Sequence, residues 1–221
     1  MKSDGDSGPQ ADLGAVRWLS IHDDLLRALA HAISNGMATV TATATLLEHG
    51  IMPEPRIARG LTADAERLEL LLQALRHLPR RVEAAAEPML LTDALDGAKV
   101  LLQEHPDLRD RTISVESRGD VQPVRAEPGA VLHACAVAVL TGARYTPAAG
   151  TVRVTLETDG DVVRLVAAGD DGPHYGAEEL REQDTRAIAW LLADHGGRAE
   201  SHASGCAFTL PTLQSTRRAP R

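Results

Sequence analysis

His31 is the side chain of this sequence best placed for chemistry. It stands two residues from both Leu29 and Ile33, and at 3.6 residues per turn that spacing sets it about 200° around a helix from each. A seam built on Leu29 and Ile33 therefore leaves His31 facing solvent. An imidazole that is neutral near pH 7 is a competent nucleophile and phosphoryl acceptor. Arg27 and Asn35 lie four residues to either side, on the same helical face. A guanidinium and an amide so placed are suited to steady a transferring phosphoryl group. A merely solvated surface histidine is the commoner outcome, and spacing alone does not separate the two.

The element that must carry His31 is a long helix over 12–48. Leu19, His22, Leu26, Leu29, Ile33, Met37, Val40, Ala44 and Leu47 follow in steps of three and four, the mark of a narrow, coiled-coil-like seam. His49-Gly50 ends it, and 51–60, with Pro53 and Pro55, reads as a connecting loop. A second helix is predicted over 62–86, with Thr62 as N-cap, Leu68, Leu71, Leu72, Leu75 and Leu78 inward, and a kink at Pro79. Two helices cannot bury both seams alone. The economical solution is a homodimer whose two hairpins form a four-helix bundle.

After Glu87-Pro88 the rhythm changes. Helices are expected over 92–104, 128–144 and 178–195, with strands over 112–116, 151–157 and 162–167 and a final hairpin through Gly205 that ends at Pro211. This order predicts an α+β chain: a helical hairpin over 12–87, then a two-layer α/β sandwich over 88–212. Residues 1–11 and 213–221 read as disordered ends.

Composition narrows the function classes. With 31 acidic and 23 basic side chains, a net charge of −8 and five aromatic residues, neither a nucleic-acid groove nor a base-stacking platform is expected. Cys135 and Cys206 belong to no C-x-x-C pair, which argues against a disulfide framework or structural zinc and for a reducing cytoplasm. No apolar run reaches the roughly 20 residues that span a bilayer. His77, His105, His133, His195 and His202 show no metal-ligand spacing and read as structural or solvated. Tyr145 and Trp190 read as core contacts of the second domain, and Gly196-Gly197 as a helix stop.

Several stretches, in order, resemble the catalytic core of two-component sensor histidine kinases. The segment from His31 through Asn35 to Leu46-Leu47-Glu48 is similar to the family's H-box helix, with the paired leucine fifteen and sixteen positions after the histidine. Ala126-Glu127-Pro128 through Tyr145-Thr146-Pro147 resembles the A-D-P…K-Y-T-P helix. Asp170-Asp171-Gly172-Pro173 resembles the D-x-G-x-G nucleotide loop. His195-Gly196-Gly197 and the stretch from Gly205 to Pro211 resemble the closing motifs. The likeness covers about 19–211.

The departures from that pattern matter as much. Val137 and Thr141 stand where the resemblance implies Mg²⁺-holding and phosphate-holding asparagines, and His174 replaces the second loop glycine. Asp170, which the resemblance implies would read the adenine amino group, and Gly172 are kept. Where a glycine-rich lid belongs, the chain has Arg181-Glu182-Gln183-Asp184-Thr185-Arg186, which lacks the glycines that turn successive N–H groups toward phosphates. Ala32 replaces the acid that acts as general base in autophosphorylation. The resemblance therefore implies a histidine phosphotransfer protein on a degenerate kinase core. His31 would accept phosphoryl from a receiver aspartate and pass it to another receiver, with Arg27 and Asn35 in support. No cofactor is expected on this chain, and Mg²⁺ is expected on the partner receiver. Response-regulator receiver domains are the implied partners, with a hybrid histidine kinase as a further candidate. Two readings stand beside it: a non-catalytic dimeric scaffold that docks a response regulator or kinase, and a residual kinase or receiver phosphatase.

Overall fold

The computed structural model describes residues 8–50, 55–76, 85–170 and 177–218. The first helix, α1 (Gly8–Glu48), runs 41 residues, or about 60 Å at 1.5 Å per residue. It begins four residues ahead of the expected start. The second, α2 (Pro55–Arg76), begins seven residues earlier than predicted. Pro55 fits the first helical position, where its missing N–H costs nothing. Thr62 is thus an interior residue and not a cap, and 55–60 is helix and not loop. Leu78 and Pro79, like the end of the predicted helix up to residue 84, lie outside the described residues.

The remaining elements are β1 (Glu87–Met89), α3 (Leu91–Leu102), β2 (Thr112–Arg118), β3 (Val124–Ala126), α4 (Pro128–Arg144), β4 (Thr151–Asp159), β5 (Val162–Ala168), α5 (Ala177–Leu192), β6 (Arg198–His202), β7 (Gly205–Pro211) and α6 (Leu213–Arg218). The fold is α+β, a helical hairpin followed by a two-layer sandwich. Strands β2-β4-β5-β7-β6 form one sheet in that order, parallel only between β2 and β4 and antiparallel elsewhere. The short pair β1-β3 was not legible in the sequence, because three residues carry no period. The expected C-terminal tail is helical over 213–218: Leu213 N–H donates to the Pro123 carbonyl and Thr212 N–H to that of Asp161.

α4 is the central element. Its N-terminus is capped by Glu127, whose carboxylate accepts from the N–H groups of Gly129 at 3.0 Å and Ala130 at 2.6 Å. Val131 to Ala143 are all buried, as expected of a helix covered on every side. The sheet supplies one wall through Val152, Val154, Leu156, Val163, Leu165 and Phe208. α3 supplies another through Leu91, Ala94, Leu95, Ala98, Leu101 and Leu102, at helical spacing. Gly196, with φ 68°, takes the left-handed turn that stops the chain before β6.

The hairpin does not bury the predicted seam within this chain. Its buried stripe is Trp18, Ile21, Leu25 and Leu29, at steps of three and four, and it packs the first half of α1 onto α5, with Trp18 reaching the His133 ring of α4. At roughly 1.5–3 kcal/mol for each large side chain, that stripe outweighs what the heptad positions offer without a second chain. Of the predicted seam, only Leu29 is fully buried. Leu19 is 60% exposed, Met37 52% and Leu47 49%, and Ala44 is exposed too. The crossing of α1 over α5 is close: a Cβ on Gly14 would stand 2.7 Å from the Arg186 carbonyl oxygen and 2.8 Å from Trp190 Cβ. Trp190 therefore packs beside α1 and stays 41% exposed, where sequence reading makes it a core residue.

Candidate functional site

His31 projects from the middle of α1 and is exposed, as its angular position requires. Asn35 Nδ2 lies 3.1 Å from His31 Nε2. With the amide as donor, Nε2 holds the lone pair and the ring proton resides on Nδ1. One turn earlier, Arg27 Nη1 donates to Asp24 Oδ1 at 2.9 Å across an open surface. Exposed pairs of this kind are worth roughly 0.3–0.5 kcal/mol, so Arg27 is readily drawn to a stronger anion. All three residues singled out in the sequence line one cleft of about 590 Å³.

The other walls of the cleft are residues the sequence reading left aside. α2 contributes Asp64, Arg67 and Leu68, and the segment after α3 contributes Glu104, His105, Asp107 and Arg109. Arg67 and Glu104 form a bidentate pair, with Nη2 at 2.7 and 2.6 Å from the two carboxylate oxygens and Nε at 3.0 Å. This fork ties the hairpin to the C-terminal domain at the cleft. His105 is buried, and its Nδ1 accepts the Asp107 N–H at 3.2 Å. Burial pushes its pKa below the ordinary 6.5, with nearby Asp107 opposing and Arg144 assisting. No local spacing marks these residues, since they reach His31 only through tertiary packing. The two helices of the hairpin pack tightly at Gly36, where a Cβ would meet Leu68 Cδ2 at 2.9 Å. Ala32, at the position where the resemblance implies an acid, is half-buried against the core.

The positions matching a nucleotide site lie elsewhere and have internal partners. Val137 is wholly buried. Thr141 Oγ1 donates to Asp184 Oδ2 at 2.9 Å. Asp184 belongs to the stretch where a lid was expected, and that stretch is the body of α5. Its carboxylate is fully buried and also accepts from Arg17 Nε at 2.7 Å and from Arg144 Nη1. One carboxylate thus draws a guanidinium from α1, another from α4 and a hydroxyl from α4. Asp170 is exposed and pairs with Arg153 Nη2 at 2.7 Å. Gly172 and His174 lie outside the described residues.

Further histidines sort as structural contacts. His133 is buried, and its ring packs edge-on to Trp18 with centroids 4.4 Å apart. His22 lies 5.7 Å from the same Trp18 ring. Among the described residues no three His, Cys, Asp or Glu side chains are placed to hold a metal ion, and no helix is long and apolar enough to cross a membrane.

No family model matches the chain, and no curated protein matches its sequence. Among solved structures it is similar to the histidine kinase AdeS of Acinetobacter baumannii, at 13% identity over 83% of this chain and 98% of that one, with a TM-score of 0.47. It is also similar to a bacterial phosphotransferase, at 15% identity over 86% of this chain and 95% of that one, TM-score 0.48. A third likeness is to the histidine kinase ThkA in complex with the response regulator TrrA, at 18% identity over 97% of this chain and 70% of that one, TM-score 0.47.

Proposed function

We propose that this chain is a histidine phosphotransfer protein of a two-component phosphorelay, working in the cytoplasm as a homodimer. The carrying observation is that His31, Asn35 and Arg27 share one open cleft, with the imidazole exposed and its Nε2 beside an amide. In the step itself, the lone pair on Nε2 attacks phosphorus of a receiver's aspartyl phosphate. The P–O bond breaks, its electron pair leaves with the carboxylate, an N–P bond forms, and the ring proton stays on Nδ1. Asn35 exchanges its ring contact for a phosphoryl oxygen, and Arg27 releases Asp24 to offset the phosphoryl charge. Mg²⁺ belongs to the receiver, which brings its own carboxylates. Transfer to a second receiver is the reverse of the same step.

That phosphoryl is received from an aspartate and not from ATP is supported by Thr141 and Asp170, both committed to neighbours. The uncovered heptad positions Leu19, Met37 and Leu47 support the homodimer, because a second hairpin would cover them. A second reading, a docking scaffold without chemistry, draws on Ala32. An activated acyl phosphate needs less base assistance than ATP does, so the phosphotransfer reading is preferred.

The test mixes receivers carrying labelled aspartyl phosphate with wild type and with His31→Gln. Acid-labile label on the wild type alone, chased onto a second receiver, is the expected result. A receiver that binds stably while neither protein takes label would establish the scaffold instead. Calorimetry with Mg-ATP is expected to give no heat of binding, and mass measurement in solution to give a dimer.

A further inference from the structure

We infer that Arg109, a residue of the C-terminal domain, is a second guanidinium, beside Arg27, that meets the phosphoryl group in the His31 cleft. The inference rests on the phosphotransfer reading above. Three arginines line the cleft, and two are engaged: Arg27 with Asp24 and Arg67 with Glu104. Arg109 is exposed and, among the described residues, has no carboxylate partner. A dianionic group entering the cleft meets one cation that need not first give up an ion pair.

The backbone beneath Arg109 is fixed. It follows the single helical turn Pro106–Leu108, whose Leu108 is buried. Its own N–H donates to the Pro106 carbonyl at 3.3 Å. Arg111 braces the same segment, with Nη1 on the Asp107 carbonyl and Nε on the Thr146 carbonyl at 2.7 Å, so the turn is bound to the end of α4. A long, unpaired side chain on a rigid base is what electrostatic stabilisation of a transferring group calls for. The attack is the one already described, N–P forming as P–O breaks, with Arg109 donating to a non-bridging oxygen and taking no proton. On this assignment the domain without nucleotide chemistry supplies a working part of the transfer site.

Single-turnover transfer from a labelled receiver aspartyl phosphate, with receiver titrated to saturation, tests this on the full chain. Arg109→Ala is expected to lower the limiting rate on the order of tenfold or more while affinity for the unphosphorylated receiver holds. Arg109→Lys and added guanidinium ion are each expected to restore part of the loss, which a structural defect would not allow. Arg109→Ala with an unchanged limiting rate, or with weaker receiver affinity alone, would overturn the assignment. A wild type that takes no label defeats the phosphotransfer reading and this inference together. A labelled wild type matched by Arg109→Ala defeats only the inference.

Discussion

The His31 cleft and the region around Asp184 use the same kinds of side chain in opposite states. In the cleft, Arg27 and Asp24 meet across open surface, His31 is exposed, and Arg109 has no carboxylate partner among the described residues. Around Asp184, a fully buried carboxylate is met by two guanidinium groups and a hydroxyl. Burial decides the difference. A charge pair in water gives up little on parting, whereas a buried carboxylate stripped of its cations bears a desolvation penalty of several kcal/mol. The first arrangement is open to a passing anion. The second is a fastener.

The sharpest way to break this comparison is His31→Gln, which is expected to abolish phosphoryl acceptance entirely while leaving thermal stability within about 0.5 kcal/mol of wild type. Parallel transfer and melting measurements check both halves. Next comes Asp184→Ala, which strands Arg17, leaves Arg144 only Asp107 at 3.9 Å, and is expected to cost about 3–5 kcal/mol in urea unfolding. Replacing all three partners together, Asp184→Leu with Arg17→Met and Arg144→Met, is expected to recover much of that loss, since an apolar replacement of the whole cluster leaves no stranded charge. A smaller effect is expected at the hairpin crossing: Gly36→Ala pushes on Leu68 and should cost about 1 kcal/mol, a shift readable in the melting temperature.

The mildest prediction concerns acid. Burial lowers the pKa of His105, so between that lowered value and the ordinary 6.5 the unfolded chain holds a proton that the folded chain does not. Its contribution is therefore fully present above about pH 6.5 and is lost as pH falls below it. The acid limb of a stability–pH curve should flatten in His105→Gln. Asp107 and Asp24, which favour the charged ring, temper the effect.

How much of this was legible in the sequence follows from the range of each interaction. α4 was read to the residue, because Glu127-Pro128 and an apolar run ending at Arg144 are local signals. β4 and β5 were found from alternation, each one or two residues short of its end. His31, Asn35 and Arg27 were found together because one helical turn separates them. Arg67, Glu104 and Arg109 were missed, since their meeting depends on how the hairpin leans on the second domain. The α1 stripe was misplaced for a related reason. Two apolar stripes run along that helix, and sequence periodicity favoured the heptad set over Trp18, Ile21 and Leu25, which lie on the half of α1 that packs against α5.

The bond between Arg17 and Asp184 spans 167 positions of the chain. Translation delivers residues in order, at about 5–20 per second, so α1 is finished many seconds before α5 exists to receive it. Through that interval the Trp18–Leu29 stripe has no native cover in its own chain. The order of manufacture thus leaves half of the packing of α1 to be made last, when the C-terminal domain is complete.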